Sequence, residues 1–348
     1  MRTFTRRPFR ARVPARPGLA RLERRGQQCR DFGVVPAVAW ALAASAASAL
    51  CTGVGLAAAG RTPSHALRPA HIYWSNPETS RGSGGPGINA IGRANRDGTA
   101  VQKSFIANPP IPGEIAVGAG HVYWIEAETG AIARANLDGS HIRRNFILAG
   151  GLADALAVGG GHIYWTVSSG ESGSAKIARA NLDGSHIKRN FVSIGGGTYI
   201  GGLALNRRFV YWTNRDKGTV GRADLNGRHV TRRLIIGAHN PTGLALDLHH
   251  LYWANDISGG PNTGTVARAD LRGSHVNETF ISGADGPFGV AVDSRYIYWA
   301  NNSGGTIGRA RLGGSEVNQG FIIARVKALN GGGMVIGEGA PMGLAVGP

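Results

Sequence analysis

Cysteine is nearly absent: two occur in 348 residues, Cys29 and Cys51, and both precede the first repeated unit. The chain beyond them therefore has no disulfide and no thiolate metal site, and packing alone must hold it. Charge is sparse as well, at 17% of residues, whereas there are 55 glycines. That balance disfavours long charge-faced helices and suits short strands joined by tight turns. The sequence also has no G-x-S-x-G elbow, no P-loop and no dinucleotide fingerprint. No Ser/His/Asp or Cys/His set stands apart from the repeat pattern, so nucleophilic catalysis and nucleotide chemistry find no support.

The net charge of +17 is unevenly spread. Residues 1–33 hold ten arginines against Glu23 and Asp31, while much of the remaining excess is one arginine recurring in every repeat. No basic run interleaved with aromatics follows, which argues against a nucleic-acid partner. After the basic leader, residues 34–60 carry no charge at all. A basic segment followed by an apolar run predicts an export signal, with Ala57 and Ala59 suiting cleavage after Ala59. The run is also long enough to serve as an uncleaved anchor. Either way the repeats are expected outside the cytoplasm, with membrane contact only through this segment.

The repeat dominates the rest. Tyr-Trp occurs six times, as Tyr73-Trp74, Tyr123-Trp124, Tyr164-Trp165, Tyr211-Trp212, Tyr252-Trp253 and Tyr298-Trp299, at intervals of 50, 41, 47, 41 and 46 residues. Apart from Trp40, every tryptophan belongs to one of these pairs. Each pair leads into an Arg-Ala segment and a glycine turn, at Arg93, Arg134, Arg179, Arg222, Arg268 and Arg309. A short apolar strand such as Asn145-Phe146-Ile147 comes next, then a strand centred on alanine such as Leu156-Ala157-Val158. Four short strands per unit predict an all-β, six-bladed β-propeller over residues 65–348. Neighbouring residues on a strand face opposite ways, so each Tyr-Trp pair needs cover on both faces of its sheet. Blades stacked around an axis provide it. The first unit lacks a preceding Ala-centred strand, and the chain ends on one, Leu344-Ala345-Val346. The C-terminal strand is therefore expected to pair into the first blade and close the ring.

Units of the form HIYW, IARANLDGSHI, NF and GLALD resemble the YWTD, or low-density-lipoprotein-receptor class B, repeats. The resemblance spans all six units and implies an extracellular six-bladed propeller used for protein binding or intramolecular docking. The fourth YWTD position, Asp in the family, is here Asn76, Glu126, Val167, Asn214, Asn255 and Asn301. The cysteine-rich modules that usually accompany such propellers are missing, so receptor-type endocytosis is not implied. A bacterial-type exported relative fits better.

Strand order assigns loops to faces. The longer insertions, 75–90, 166–176, 254–265 and the last connection 324–341, share one face. Loop length concentrated on one face is where a propeller is expected to carry function. Glu114 and Asp154 enter innermost strands on that face, at or just before the place of a glycine in later blades. They are candidates to meet at the mouth of the central channel with Glu126, Asn214 and Asn240, and there to bind a cation or polar group. The six arginines are read as structural, pairing with the neighbouring blade. Two histidine sets, His141, His186, His229, His275 and His71, His121, His162, His250, fall on different blades, too far apart to share one zinc. No cofactor is indicated; oxygen ligands at the mouth could take a calcium ion, but nothing in the sequence requires one.

The sequence thus predicts a non-catalytic extracytoplasmic binding or scaffold propeller, a monomer, presenting one loop-rich face to a protein or glycan partner. The alternative is a lactonase-like hydrolase or lyase with a metal at the channel mouth.

Overall fold

Each Tyr-Trp strand buries both rings completely, one toward each neighbouring blade. Trp165 joins the core between the second and third blades, and Tyr164 the core between the third and fourth. The computed structural model describes residues 70–77, 89–168, 174–196, 199–257, 260–329 and 335–347. The basic leader 1–33 and the apolar segment 34–60 lie outside these residues. So do parts of the predicted insertions, at 78–88, 169–173, 258–259 and 330–334.

Six four-stranded antiparallel sheets form the blades. Blade 1 runs outward from Leu344–Gly347 through His71–Asn76 and Ala90–Asn95 to Gln102–Ala107. The inner strands of blades 2 to 6 are Pro112–Gly118, Leu156–Gly159, Ile200–Leu205, Pro241–Leu246 and Pro287–Val292. Their outer strands are Arg143–Leu148, Lys188–Gly196, Thr231–Ile236, Asn277–Ala284 and Asn318–Ile323. The C-terminal strand completes blade 1, with Ile72 opposite Val346, Tyr73 opposite Ala345 and Trp74 opposite Leu344. Gly343 N–H also donates to Ser75 Oγ at 2.8 Å. One feature was not foreseen: the last connection contains a hairpin, Val326–Leu329 paired with Val335–Gly339. Among the described residues no helix is long and apolar enough to cross a membrane.

In five of the six repeats the arginine bonds to the next blade's backbone, where a side-chain partner was as open an expectation. Arg93 Nη1 donates to the Leu137 carbonyl at 3.1 Å, in the glycine turn of the next blade. Arg134, Arg179 and Arg222 reach Leu182, Leu225 and Leu271 in the same way, and Arg309 closes the circle on Arg96. Each guanidinium also lies over an aromatic ring, at 4.1 Å for Arg93 on Phe105 and for Arg268 on Phe280. A planar cation can stack and donate at once, which lysine cannot match. The turn glycine fits the same seam. Gly139 has φ +84°, and a Cβ there would lie 3.0 Å from Phe105 of the preceding blade.

At the axis, inner strands meet backbone to backbone. A Cβ on Gly243 would lie 2.5 Å from the Phe288 carbonyl oxygen, and one on Gly289 would lie 2.5 Å from that of Met342. Gly343 approaches Glu114 Cα in the same manner, at 2.9 Å. Gly289→Ala is accordingly expected to cost about 3 kcal/mol by overpacking. Gly320→Ala, where an added Cβ meets nothing within 4 Å, should change stability little. Urea denaturation of the two variants checks the pair.

Candidate functional site

The axial glycine rule is broken in two blades. Blades 4, 5, 6 and 1 carry Gly202, Gly243, Gly289 and Gly343, each turned onto the next blade's backbone. Blades 2 and 3 carry Glu114 and Ala155 at the same place, so the two seams that follow them hold a side chain where the others hold a hydrogen. Glu114 thereby places a carboxyl on blade 2's inner strand, Pro112–Gly118, where blades 4, 5, 6 and 1 have a glycine turned onto the next blade. Asp154 precedes Ala155, and its strand is pinned by Thr166, whose Oγ1 accepts from the Asp154 N–H at 3.1 Å and the Ala155 N–H at 2.9 Å.

Both carboxyl groups act electrostatically on Tyr199, which lies just ahead of blade 4's inner strand. Desolvation pushes the Tyr199 phenol up to about 12, with Asp154 and Glu114 adding to the rise against Arg215. Glu114 keeps some surface open to the channel but has protein on every side, and desolvation raises its carboxyl to about 8 against one favourable contact, the Ile115 amide. Asp154 is raised to about 6, chiefly by desolvation, with Asp216 adding to it and the Ser168 hydroxyl opposing. Its Oδ2 is buried and accepts no hydrogen bond from the described residues.

Arg215 forms the far wall. Its guanidinium lies 5.2 Å from the Tyr199 ring centre, with Nε on Asn240 Oδ1 at 2.8 Å and Nη2 on Asp256 Oδ2 at 2.7 Å. Asn240 also donates to the Asp256 carbonyl at 2.9 Å, so this cation is held rather than free. At neutral pH the three groups are therefore an ionised carboxylate with a buried oxygen that accepts no hydrogen bond from the described residues, a protonated carboxyl and a phenol. That set accepts a cation or a polar group rich in donors.

Of the five residues singled out in sequence, the structure brings Glu114, Asp154 and Asn240 into this network. Glu126 and Asn214 point elsewhere. Glu126 is buried and accepts from Arg144 Nη1 of its own outer strand at 3.3 Å. Asn214 Oδ1 caps the Lys217 N–H at 3.0 Å. Both close the second strand of a blade, as Asn255 and Asn301 do, where the side chain ties the blade's own outer strand or loop, whereas Asn76 reaches the Ala324 carbonyl beyond blade 6's outer strand. Tyr199, Arg215, Asp216 and Asp256 were missed. One signal was available: Tyr199 is among the few tyrosines outside a Tyr-Trp pair.

On the opposite face a cavity of about 770 Å³ lies among the turns of blades 4 to 6, walled by Phe209, Leu246, Leu248 and Val292. Its carboxylates are already spent. Asp247 and Asp293 each cap two backbone amides and accept the hydroxyls of Tyr252 and Tyr298. Among the described residues no three His, Cys, Asp or Glu side chains gather where they could hold a metal ion.

A family model described as low-density lipoprotein receptor repeat class B matches residues 120–158. No curated protein sequence matches the chain. Among solved structures, a chain of a nidogen/laminin complex superposes with a TM-score of 0.60 at 17% identity, over 80% of this chain and 98% of that one. TolB from Agrobacterium tumefaciens gives 0.51 at 12% identity, over 79% and 90%. Virginiamycin B lyase from Staphylococcus aureus gives 0.45 at 15%, over 76% and 83%, too distant to carry an argument. At these identities the likeness extends to fold alone, and the fold hosts both binding modules and enzymes.

Proposed function

Starting from a six-bladed propeller of the YWTD, or class B, type, we propose that this chain is a non-catalytic extracytoplasmic binding module. In this reading the channel mouth around Glu114, Asp154 and Tyr199 receives a cationic or donor-rich group of a protein or glycan partner. One observation carries the reading: an otherwise regular ring of axial glycines is interrupted by Glu114 and Ala155, and Glu114 and the neighbouring Asp154 are desolvated carboxyls, the latter with an oxygen that no described residue donates to. Burial of that kind is costly unless something repays it, and a ligand's positive group would.

The pH dependence follows from the raised pKa values. Both carboxyls gain negative charge as pH rises through about 6 and about 8, so capture of a cationic partner should strengthen from pH 5 to pH 8. Capture by the Glu114→Ala/Asp154→Ala variant should fall about tenfold below that of the full chain at pH 8, the loss of roughly one charge-assisted contact. A partner held equally well by the double variant would refute the mouth as the site.

A hydrolase or lyase is the competing reading. A protonated carboxyl beside an ionised one is an arrangement that acid–base enzymes use. Stoichiometric metal in the purified protein, with turnover lost in Glu114→Gln, would favour it.

A further inference from the structure

The buried indole N–H of each Tyr-Trp pair faces a recurring problem, and the blades solve it differently. In blade 6 Trp299 Nε1 donates to Gln319 Oε1 at 2.8 Å, the acceptor being the outer-strand residue two before the buried Phe321. In blade 5 Glu278 occupies that place and accepts from Asn255 Nδ2 at 2.8 Å, while Trp253 Nε1 makes no hydrogen bond to any described residue. Blades 1 to 4 instead carry a cation at that place, Lys103, Arg144, Arg189 and Arg232, and among the described residues Trp74 Nε1 and Trp124 Nε1 of blades 1 and 2 also make no hydrogen bond. Blade 4 shares this arrangement and adds further cations to it. Its equivalent residue is Arg232, which has no acceptor to offer, and the fully buried Trp212 Nε1 makes no hydrogen bond to any described residue.

Around that N–H the charge is reversed. Trp212, Lys217, Thr219, Arg232 and Arg233, with Ile194 of blade 3, line a pocket of about 340 Å³ at the seam between blades 3 and 4. Blade 6 has Gly304 and Gly320 where blade 4 has Lys217 and Arg233, so two of the three cations are additions to the repeat. Among the described residues none of the three forms an ion pair. Arg232 spends one nitrogen on the Ser193 carbonyl at 3.0 Å. The local backbone matches blade 6, where Gly308 lies against Trp299 as Gly221 lies against Trp212.

We propose that this pocket binds an oxyanion, a carboxylate or sulfate group that accepts from Trp212 Nε1 and is held by Lys217, Arg232 and Arg233. The bound oxygen takes the place that the Gln319 side chain fills in blade 6. A neutral donor at the bottom with cations around the rim is a built recognition site for such groups. The site is independent of the channel mouth and stands or falls separately from the binding reading given to it.

The test is a titration of the full chain, with its tryptophans labelled with ¹⁵N, using sodium sulfate and sodium acetate against sodium chloride at equal ionic strength. Sulfate or acetate is expected to move one indole N–H resonance saturably, and chloride to leave it in place. Arg233→Gln and Lys217→Gln, both changes at the rim, should each weaken the binding about tenfold, one charge-assisted contact's worth. Arg232→Gln rebuilds the blade 6 arrangement, so it should abolish the response and shift that same resonance without added anion. Indole resonances indifferent to both anions would overturn the proposal, as would an Arg232→Gln protein that binds as the parent does. The two rim variants keep the test decisive if Arg232→Gln fails to fold. Should binding occur, comparing free acetate with a peptide bearing a single glutamate distinguishes a small-molecule source from a protein one.

Discussion

Deleting residues 342–348 abolishes the cooperative melting transition of the protein. The deletion removes the inner strand of blade 1, with Leu344 and Ala345 buried in two different inter-blade cores. Its ladder to His71–Asn76 goes too, leaving Tyr73 and Trp74 with an uncovered edge. A folded domain holds a margin of only about 5–15 kcal/mol. Losing one blade's inner strand and half of two seams exceeds what such a margin tolerates. Circular dichroism during heating of the truncated and full chains decides it: a truncated chain that melts as the full one does would refute closure by this strand. Exposed sheet edges also predict aggregation of the truncated form.

The second large effect is a gain. Glu114→Gln should stabilise the protein at pH 8 and above by up to about 5 kcal/mol, the cost of a carboxyl whose pKa rises from 4.5 unfolded to about 8 folded. The folded state holds this proton more tightly than the unfolded state. The penalty is therefore absent below pH 4, grows through pH 5 to 8 and is complete above. Parent and variant should melt alike at pH 4 and diverge steadily as pH rises. Equal melting at pH 8 would show that Glu114 is better solvated than its surroundings imply. A stabilising substitution at a suspected binding residue is what a stability cost retained for function looks like.

How much of this was legible in sequence follows from which interactions repeat. The six Tyr-Trp pairs fixed the blade count, because two rings on adjacent residues need cover on both sides, and the structure buries all twelve completely. The Ala-centred strands were readable as innermost for the same reason. Arg93 and its equivalents were readable as seam residues. Their acceptors were not, since a backbone carbonyl leaves no mark in the residue pattern. Glu126 and Asn214 were read as channel groups, but in blades 2, 4, 5 and 6 that position faces the blade's own outer strand or loop, and in blade 1 Asn76 reaches the Ala324 carbonyl after blade 6. The Tyr199–Arg215–Asp256 network escaped notice because it joins loops of two blades that share no spacing. The hairpin at Val326–Leu329 and Val335–Gly339 was hidden in a stretch rich in glycine, where strand and loop read alike.

Gly343 rests against the Cα of Glu114, so the strand that fastens the ring is also the floor beneath the group offered to a ligand. The two equilibria, clasping and capture, must then influence one another by equal amounts. A partner seated over Glu114 would tighten the fastening, and fraying of the last residues would loosen the partner's hold.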